Sequence, residues 1–159
     1  MTYLADAEAD HYLLLQAIEL SRRCPPSSTA FSVGAVLVGG DGSVLSAGYS
    51  RELAPADHAE EVALVKAGLP AAATGAPELA SATLYSSLEP CAARASRPVP
   101  CADLIIASGI GRVVIAWREP PIFVPGGGVA RMHAAGIRVL VLPELAPAAR
   151  AVNAHLLLD

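Results

Sequence analysis

The chain is 159 residues long, 53% hydrophobic but only 4% aromatic, with a formal net charge of −4. That length suits one domain with a proper core rather than two, and a slightly acidic balance speaks against a large nucleic-acid partner, which needs a basic stripe to track. No apolar run approaches the roughly 20 residues of a membrane-spanning helix, and no signal peptide is expected at the acidic start. The odd set Cys24, Cys91 and Cys101 suits reduced thiols of the cytoplasm better than a disulfide framework.

In chain order, residues 5–23 carry Leu13, Leu14, Ala17, Ile18 and Leu20 at helical spacing. Acidic residues lie early and Arg22-Arg23 late, which complements the helix dipole. Pro25-Pro26 stops this helix, and His11 on it reads as a surface or capping group. Phe31–Val38 and Val44–Tyr49 flank Gly39-Gly40-Asp41-Gly42, the pattern of an antiparallel hairpin. Gly34 inside the first strand suits close approach of a ligand or of another backbone, or marks a bulge. A polar loop then leads to Asp57, expected to cap a helix that holds His58 and Glu60 in its first turn and runs to Lys66. The partial positive charge of that helix start favours an anion beside it. Glu61 reads as a solvated neighbour.

Gly68–Ala80, rich in Ala, Pro and Gly, is the expected place for mobility or insertion. Ala82–Ser86 is a short strand, and Ser87-Leu88-Glu89-Pro90-Cys91 turns out of it. Pro98 and Pro100 keep residues 91–101 an ordered loop rather than a helix. A helix from Cys101 to Ser108 ends at Gly109, and Arg112–Trp117 is a buried type of strand. After a Pro/Gly-rich loop over 118–128 come a helix Val129–Ala135, a strand Ile137–Leu142 and a terminal helix Leu145–Leu158. Helices and strands alternate after the opening hairpin, which predicts a sheet covered on both faces with right-handed crossovers.

One imidazole (His58) and two thiols (Cys91, Cys101) are three good zinc ligands, and three ligands leave a fourth position open for catalysis. Glu60, two residues after the imidazole, is a carboxylate able to move protons beside the metal. The order H-x-E, then P-C, then C is the signature of zinc-dependent nucleobase deaminases, in which the Glu is a general acid/base and not a ligand.

On these residues the chain resembles the cytidine-deaminase-like superfamily, and within it the pyrimidine deaminase domain of the bifunctional riboflavin-biosynthesis protein. The likeness rests on Val33-Gly34-Ala35-Val36, His58-Ala59-Glu60, Thr83-Leu84-Tyr85 with Leu88-Glu89-Pro90-Cys91, and Pro100-Cys101. It continues through Gly109-Ile110, Arg112-Val113-Val114, Gly127-Gly128 and Ala135-Gly136-Ile137-Arg138-Val139. It implies a three-layer α/β/α sandwich on a five-stranded mixed sheet of order 2-1-3-4-5, zinc as cofactor, and Glu60 passing a proton from water to the ring and then to the departing amine. It also implies a pocket at Gly34, Ala59, Ser87 and Glu89, whose turn presents backbone groups to the leaving amine. A merely structural Glu89 fits equally well.

Departures fall on substrate-facing loops. Ala30-Phe31 replace the family's Asn-Pro, the thiols stand one residue further apart than is usual, and Arg118-Glu119-Pro120-Pro121 replace its Asp-Pro-Asn-Pro. The family's reductase domain has no counterpart in these residues, so 1–159 is expected to act as a single deaminase domain. Arg94, Ser96 and Arg97 lie between the two thiols, either as a solvated loop or as contacts to a phosphate, ribose or ring carbonyl. Trp117 is either core at a strand end or a stacking surface for a base. Cys24 reads as an unpaired thiol without a role.

The expected activity is therefore hydrolytic deamination of an aminopyrimidine. Candidate substrates are a riboflavin precursor, a cytosine-type base, nucleoside or nucleotide, and a secondary-metabolite base. A tRNA-editing role is disfavoured by the acidic balance and the lack of a short C-x-x-C. The alternative is a zinc-binding module that has lost activity, against which the retained Glu60 argues. Partners are expected to be a small molecule and further copies of the chain, as a homodimer or higher homo-oligomer.

Overall fold

The computed structural model describes residues 2–69, 77–123 and 126–158. A long helix, α1 (Thr2–Ser21), precedes the hairpin β1 (Gly34–Val38) and β2 (Val44–Tyr49). There follow α2 (Ala59–Lys66), β3 (Thr83–Leu88), α3 (Cys101–Ser108), β4 (Arg112–Trp117), α4 (Gly128–Ala134), β5 (Arg138–Val141) and α5 (Ala146–Val152). The five strands form one sheet in the order β2-β1-β3-β4-β5. β1 runs antiparallel to both β2 and β3, while β3, β4 and β5 are mutually parallel. The sheet is thus the mixed one expected.

Every residue of β1 is buried, because alternate side chains enter two different cores. Ala35 and Leu37 join Leu84, Val113 and Ile115 beneath α2, α3 and α4, where Ala63, Ile105 and Met132 meet them. Val36 and Val38 join Tyr85, Val114 and Ala116 on the other face, against Leu14, Ala17 and Ile18 of α1 and Ala149 of α5. Asp10 pins α1 to the sheet: its carboxylate accepts from Tyr85 Oη at 2.7 Å and from both Nη atoms of Arg112.

Several expectations change in detail. Gly34 serves the approach of a backbone rather than of a ligand: a Cβ there would lie 1.9 Å from the Ala17 carbonyl oxygen, so α1 packs directly on β1. The helix cap is His58 rather than Asp57. Asp57 Oδ2 instead accepts the N–H groups of Leu53 and Ala54, closing the preceding loop. The terminal helix is shorter than its apolar pattern suggests, because Asn153 turns inward. Its Oδ1 accepts from Ser32 N at 2.7 Å and its Nδ2 donates to Ser32 O at 3.0 Å, replacing helix continuation with a bond to the approach of β1. Of the Gly68–Ala80 loop, residues 70–76 lie outside the described residues, and Pro77–Ser81 forms a 3-10 turn. Among the described residues no helix is long and apolar enough to cross a membrane.

Candidate metal centre

The parallel strands β3 and β4 end on the same side of the sheet, and the starts of α2 and α3 are folded towards that side. His58 is the N-cap of α2, Cys91 follows β3 after Glu89-Pro90, and Cys101 is the first residue of α3. His58 Nδ1 lies 3.5 Å from Cys91 Sγ and 3.4 Å from Cys101 Sγ, and the three donor atoms all fall within 4.8 Å of one another. Zinc–sulfur and zinc–nitrogen bonds of about 2.3 and 2.0 Å meeting at a tetrahedral angle separate N and S by about 3.5 Å. The donor set therefore fits zinc in both chemistry and spacing.

The backbone supports the sulfurs. Cys101 N donates to Cys91 Sγ at 3.3 Å, and Ala102 N to Cys91 O at 3.0 Å, so the start of α3 closes on the turn carrying the first thiol. Hydrogen bonding from the Cys101 thiol brings Cys91 down to about 4, helped by His58, while that same bond and burial push Cys101 up.

His58, Glu60 and Cys91 open onto a cavity of about 530 Å³, within the usual range for small-molecule sites. Glu60 is buried, and desolvation raises its pKa against the opposing charge of His58. Ser86 Oγ lies 2.8 Å from Glu60 Oε1 and 2.8 Å from Leu88 O. One hydroxyl has one proton, so Ser86 donates to whichever acceptor Glu60's own protonation leaves to it.

The remaining residues singled out from sequence divide clearly. Glu89, Arg94 and Ser96 line the cavity; Gly34, Ala59, Ser87, Arg97 and Trp117 do not. Glu89 braces the turn, with Oε1 accepting from Glu119 N at 2.9 Å and Oε2 from Val129 N at 2.7 Å. Gly128 lets α4 sit on that turn, since a Cβ there would be 1.8 Å from Pro90 O. Ser87 Oγ accepts from Gly34 N, Ala59 is core, and Trp117 packs edge-on to Phe31 at 5.2 Å between ring centroids. Of the two readings of Trp117, its packing on Phe31 matches the core one, while Phe31 and Phe123, whose ring centroids lie 5.0 Å apart, both line the cavity.

Glu119 was not singled out from the sequence. It lies in the cavity wall, pushed up to about 8 by burial and by the charges of Glu60, Cys91 and Glu89. Its signal was available in its place just past the carboxyl end of β4, where ligands of open α/β sheets bind.

The family described as the cytidine and deoxycytidylate deaminase zinc-binding region matches residues 7–117. A diaminohydroxyphosphoribosylamino-pyrimidine deaminase of Schizosaccharomyces pombe is 41% identical over 127 residues, which cover 80% of this chain and 30% of that protein. The riboflavin biosynthesis protein RibD of Aquifex aeolicus is 44% identical over 108 residues, 68% of this chain and 27% of its own length. The chain thus spans less than a third of these relatives. Among solved structures, RibD of Acinetobacter baumannii superposes with a TM-score of 0.75 at 31% identity, covering 96% of this chain and 40% of that one. The Rib2 deaminase of Aspergillus oryzae, in complex with DARIPP, gives 0.69 at 27% identity and 84% coverage of both chains.

Proposed function

Because the chain belongs to the cytidine and deoxycytidylate deaminase zinc-binding family, we propose that it is a hydrolytic deaminase of aminopyrimidines. Its proposed substrate is of the kind its relatives are named for, a pyrimidine with amino, hydroxy and phosphoribosylamino groups. The observation that carries this reading is Glu60, a carboxyl only 4% exposed that opens onto the same cavity as His58 and Cys91. Burying an ionisable group is costly, and a strongly perturbed carboxyl in a cleft beside metal ligands marks a proton-transfer site.

His58, Cys91 and Cys101 would hold zinc, which supplies Lewis acidity and an activated water near neutral pH. Glu60 takes a proton from the attacking water and delivers it to the ring nitrogen beside the amino-bearing carbon. It then takes the proton of the hydroxyl now added to that carbon and passes it to the departing amine, so that water is consumed, ammonia leaves and a carbonyl remains. A raised pKa suits both directions of that transfer. Phe31 and Phe123 give the ring an apolar wall, and Glu119 offers an acceptor to its N–H edge. Glu89 holds the turn that faces the amine, with Ser96 at the rim.

On the same reading, residues 1–159 form one deaminase domain that works in the cytoplasm, assembled as a homodimer or higher homo-oligomer and without a nucleic-acid partner. Val44, Leu45 and Val65, exposed along β2 and α2, form an apolar edge suited to burial between copies.

Ammonia release from zinc-loaded protein, across aminopyrimidines supplied free, ribosylated and phosphorylated, tests the activity. Turnover is expected on the phosphoribosylamino-pyrimidine, and Glu60→Ala is expected to reduce it by at least about 10²-fold with zinc content unchanged. Turnover that survives in the variant would remove Glu60 from the mechanism. Turnover confined to cytosine compounds would reassign the substrate.

A further inference from the structure

The loop between the two thiols carries Arg94, which lines the cavity yet turns its guanidinium into the protein. Its side chain is 2% exposed. Nη2 donates to Ala56 O at 2.7 Å and to Glu61 Oε1 at 3.1 Å, while Nε donates to Ser96 Oγ at 3.2 Å. Nη1 lies 3.9 Å from Cys101 Sγ. Glu61 Oε1, the acceptor of Arg94, also accepts the backbone N–H of His58 at 2.7 Å. The connections therefore run from the His58 backbone to Glu61, to Arg94 and to the sulfur of Cys101. A second pair runs alongside, with Arg97 Nη2 2.8 Å from Asp57 Oδ1. Each side of the clasp comes three residues after a metal ligand: Glu61 after His58 and Arg94 after Cys91.

We propose that Arg94 is a positioning residue of the metal centre, locking the histidine-bearing segment to the cysteine-bearing loop and withdrawing charge from the Cys101 sulfur. The inference rests on the zinc reading given above. A planar, permanently charged fork is the side chain that can serve a carbonyl, a carboxylate and a sulfur at once. Glu61 is fixed by its charge-assisted bond and cannot drift from the His58 N–H. Partners of this kind orient ligands, and their removal commonly costs about 10–100-fold in metal affinity. The N–H beside Cys101 makes that sulfur a weaker electron donor, which leaves a bound cation more electrophilic. Arg94 is thereby assigned to the centre itself, and its donors are committed before any substrate phosphate arrives.

The test measures zinc affinity by chelator competition and the sulfur-to-cobalt charge-transfer band of cobalt-loaded protein, in wild type, Arg94→Met, Arg94→Lys and Glu61→Gln. Arg94→Met is expected to bind zinc about 10–100-fold more weakly and to move the band to lower energy, because its thiolate is more electron-rich. Glu61→Gln, which keeps the Arg94 charge at Cys101, is expected to weaken affinity and leave the band in place. Arg94→Lys retains charge without the fork, so it should partly restore the band while affinity stays reduced; it also serves if the Met variant does not fold. Wild-type affinity and an unmoved band in both Arg94 variants would overturn the inference, as would a defect confined to KM for phosphorylated substrates. Failure of the wild-type protein itself to bind zinc or cobalt would overturn the zinc reading instead.

Discussion

Glu119 shares the cavity with Glu60 and stands on the chain where β4 gives way to the following loop. Burial is the first cause of its shift from the ordinary 4.5 to about 8, with the negative neighbours Glu60, Cys91 and Glu89 adding to it. Between those two values the folded chain keeps a proton that the unfolded chain has released, so stability falls as pH rises across the window. Glu119→Gln removes the titration. In metal-free protein, the melting temperature of wild type relative to this variant is expected to decline steadily from pH 5 to beyond about 8. A constant difference across that range would mean that the carboxylate is solvated. Glu60 is another buried carboxyl of the same wall, and Ser86 is its hydrogen-bond partner from β3.

Elements are fixed to one another by a few polar ties set in apolar contacts. α5 reaches across to the approach of β1 through Asn153, whose carboxamide both accepts from and donates to the Ser32 backbone while only 2% exposed. Asn153→Ala would leave a buried N–H and a buried C=O without partners, a loss of about 1–3 kcal/mol. Urea unfolding is the check, and an unchanged midpoint would mean that water replaces the amide. Such a tie explains why the apolar pattern of 145–158 did not give the long helix expected: side-chain bonding to a distant backbone outcompeted the next turn. The same applies at the start of α2, where Asp57 was expected as the cap. Its carboxylate is consumed by Leu53 N, Ala54 N and Arg97, leaving His58 at the cap with its ring turned to the thiols.

Across the whole molecule, the two cores lie on opposite faces of the sheet and neither depends on the metal ligands for its apolar packing. Zinc would join α2, α3 and the turn after β3 at their ends. Its removal by a chelator is therefore expected to lower the melting temperature while secondary structure persists. The stabilisation lost is about 4 kcal/mol when free zinc stands a thousandfold above its Kd. Recovery on adding zinc back and an unaltered far-UV spectrum of the stripped protein are the expected readings. Collapse of the spectrum would make the centre structural rather than catalytic.

The centre was legible in the sequence because its chemistry is local. His58 and Glu60 are two residues apart, Pro90-Cys91 follows a strand, Cys101 opens a helix, and these donor types leave few alternatives. Strand order followed from the resemblance those motifs carried, and short apolar runs bounded by turns placed all five strands to within a few residues. Tertiary structure alone decided what the polar loops do. Arg94 and Arg97 read from sequence as a solvated loop or as ligand contacts; nothing local foretold that the 51–61 segment would bring them acceptors at 2.7 and 2.8 Å. Phe31 and Phe123, far apart in sequence, became one wall of the cavity, and Trp117 packs edge-on to Phe31. A long side chain takes its direction from whichever acceptor or apolar surface the rest of the chain brings within reach. That choice is made by non-local packing, of which local spacing carries no trace.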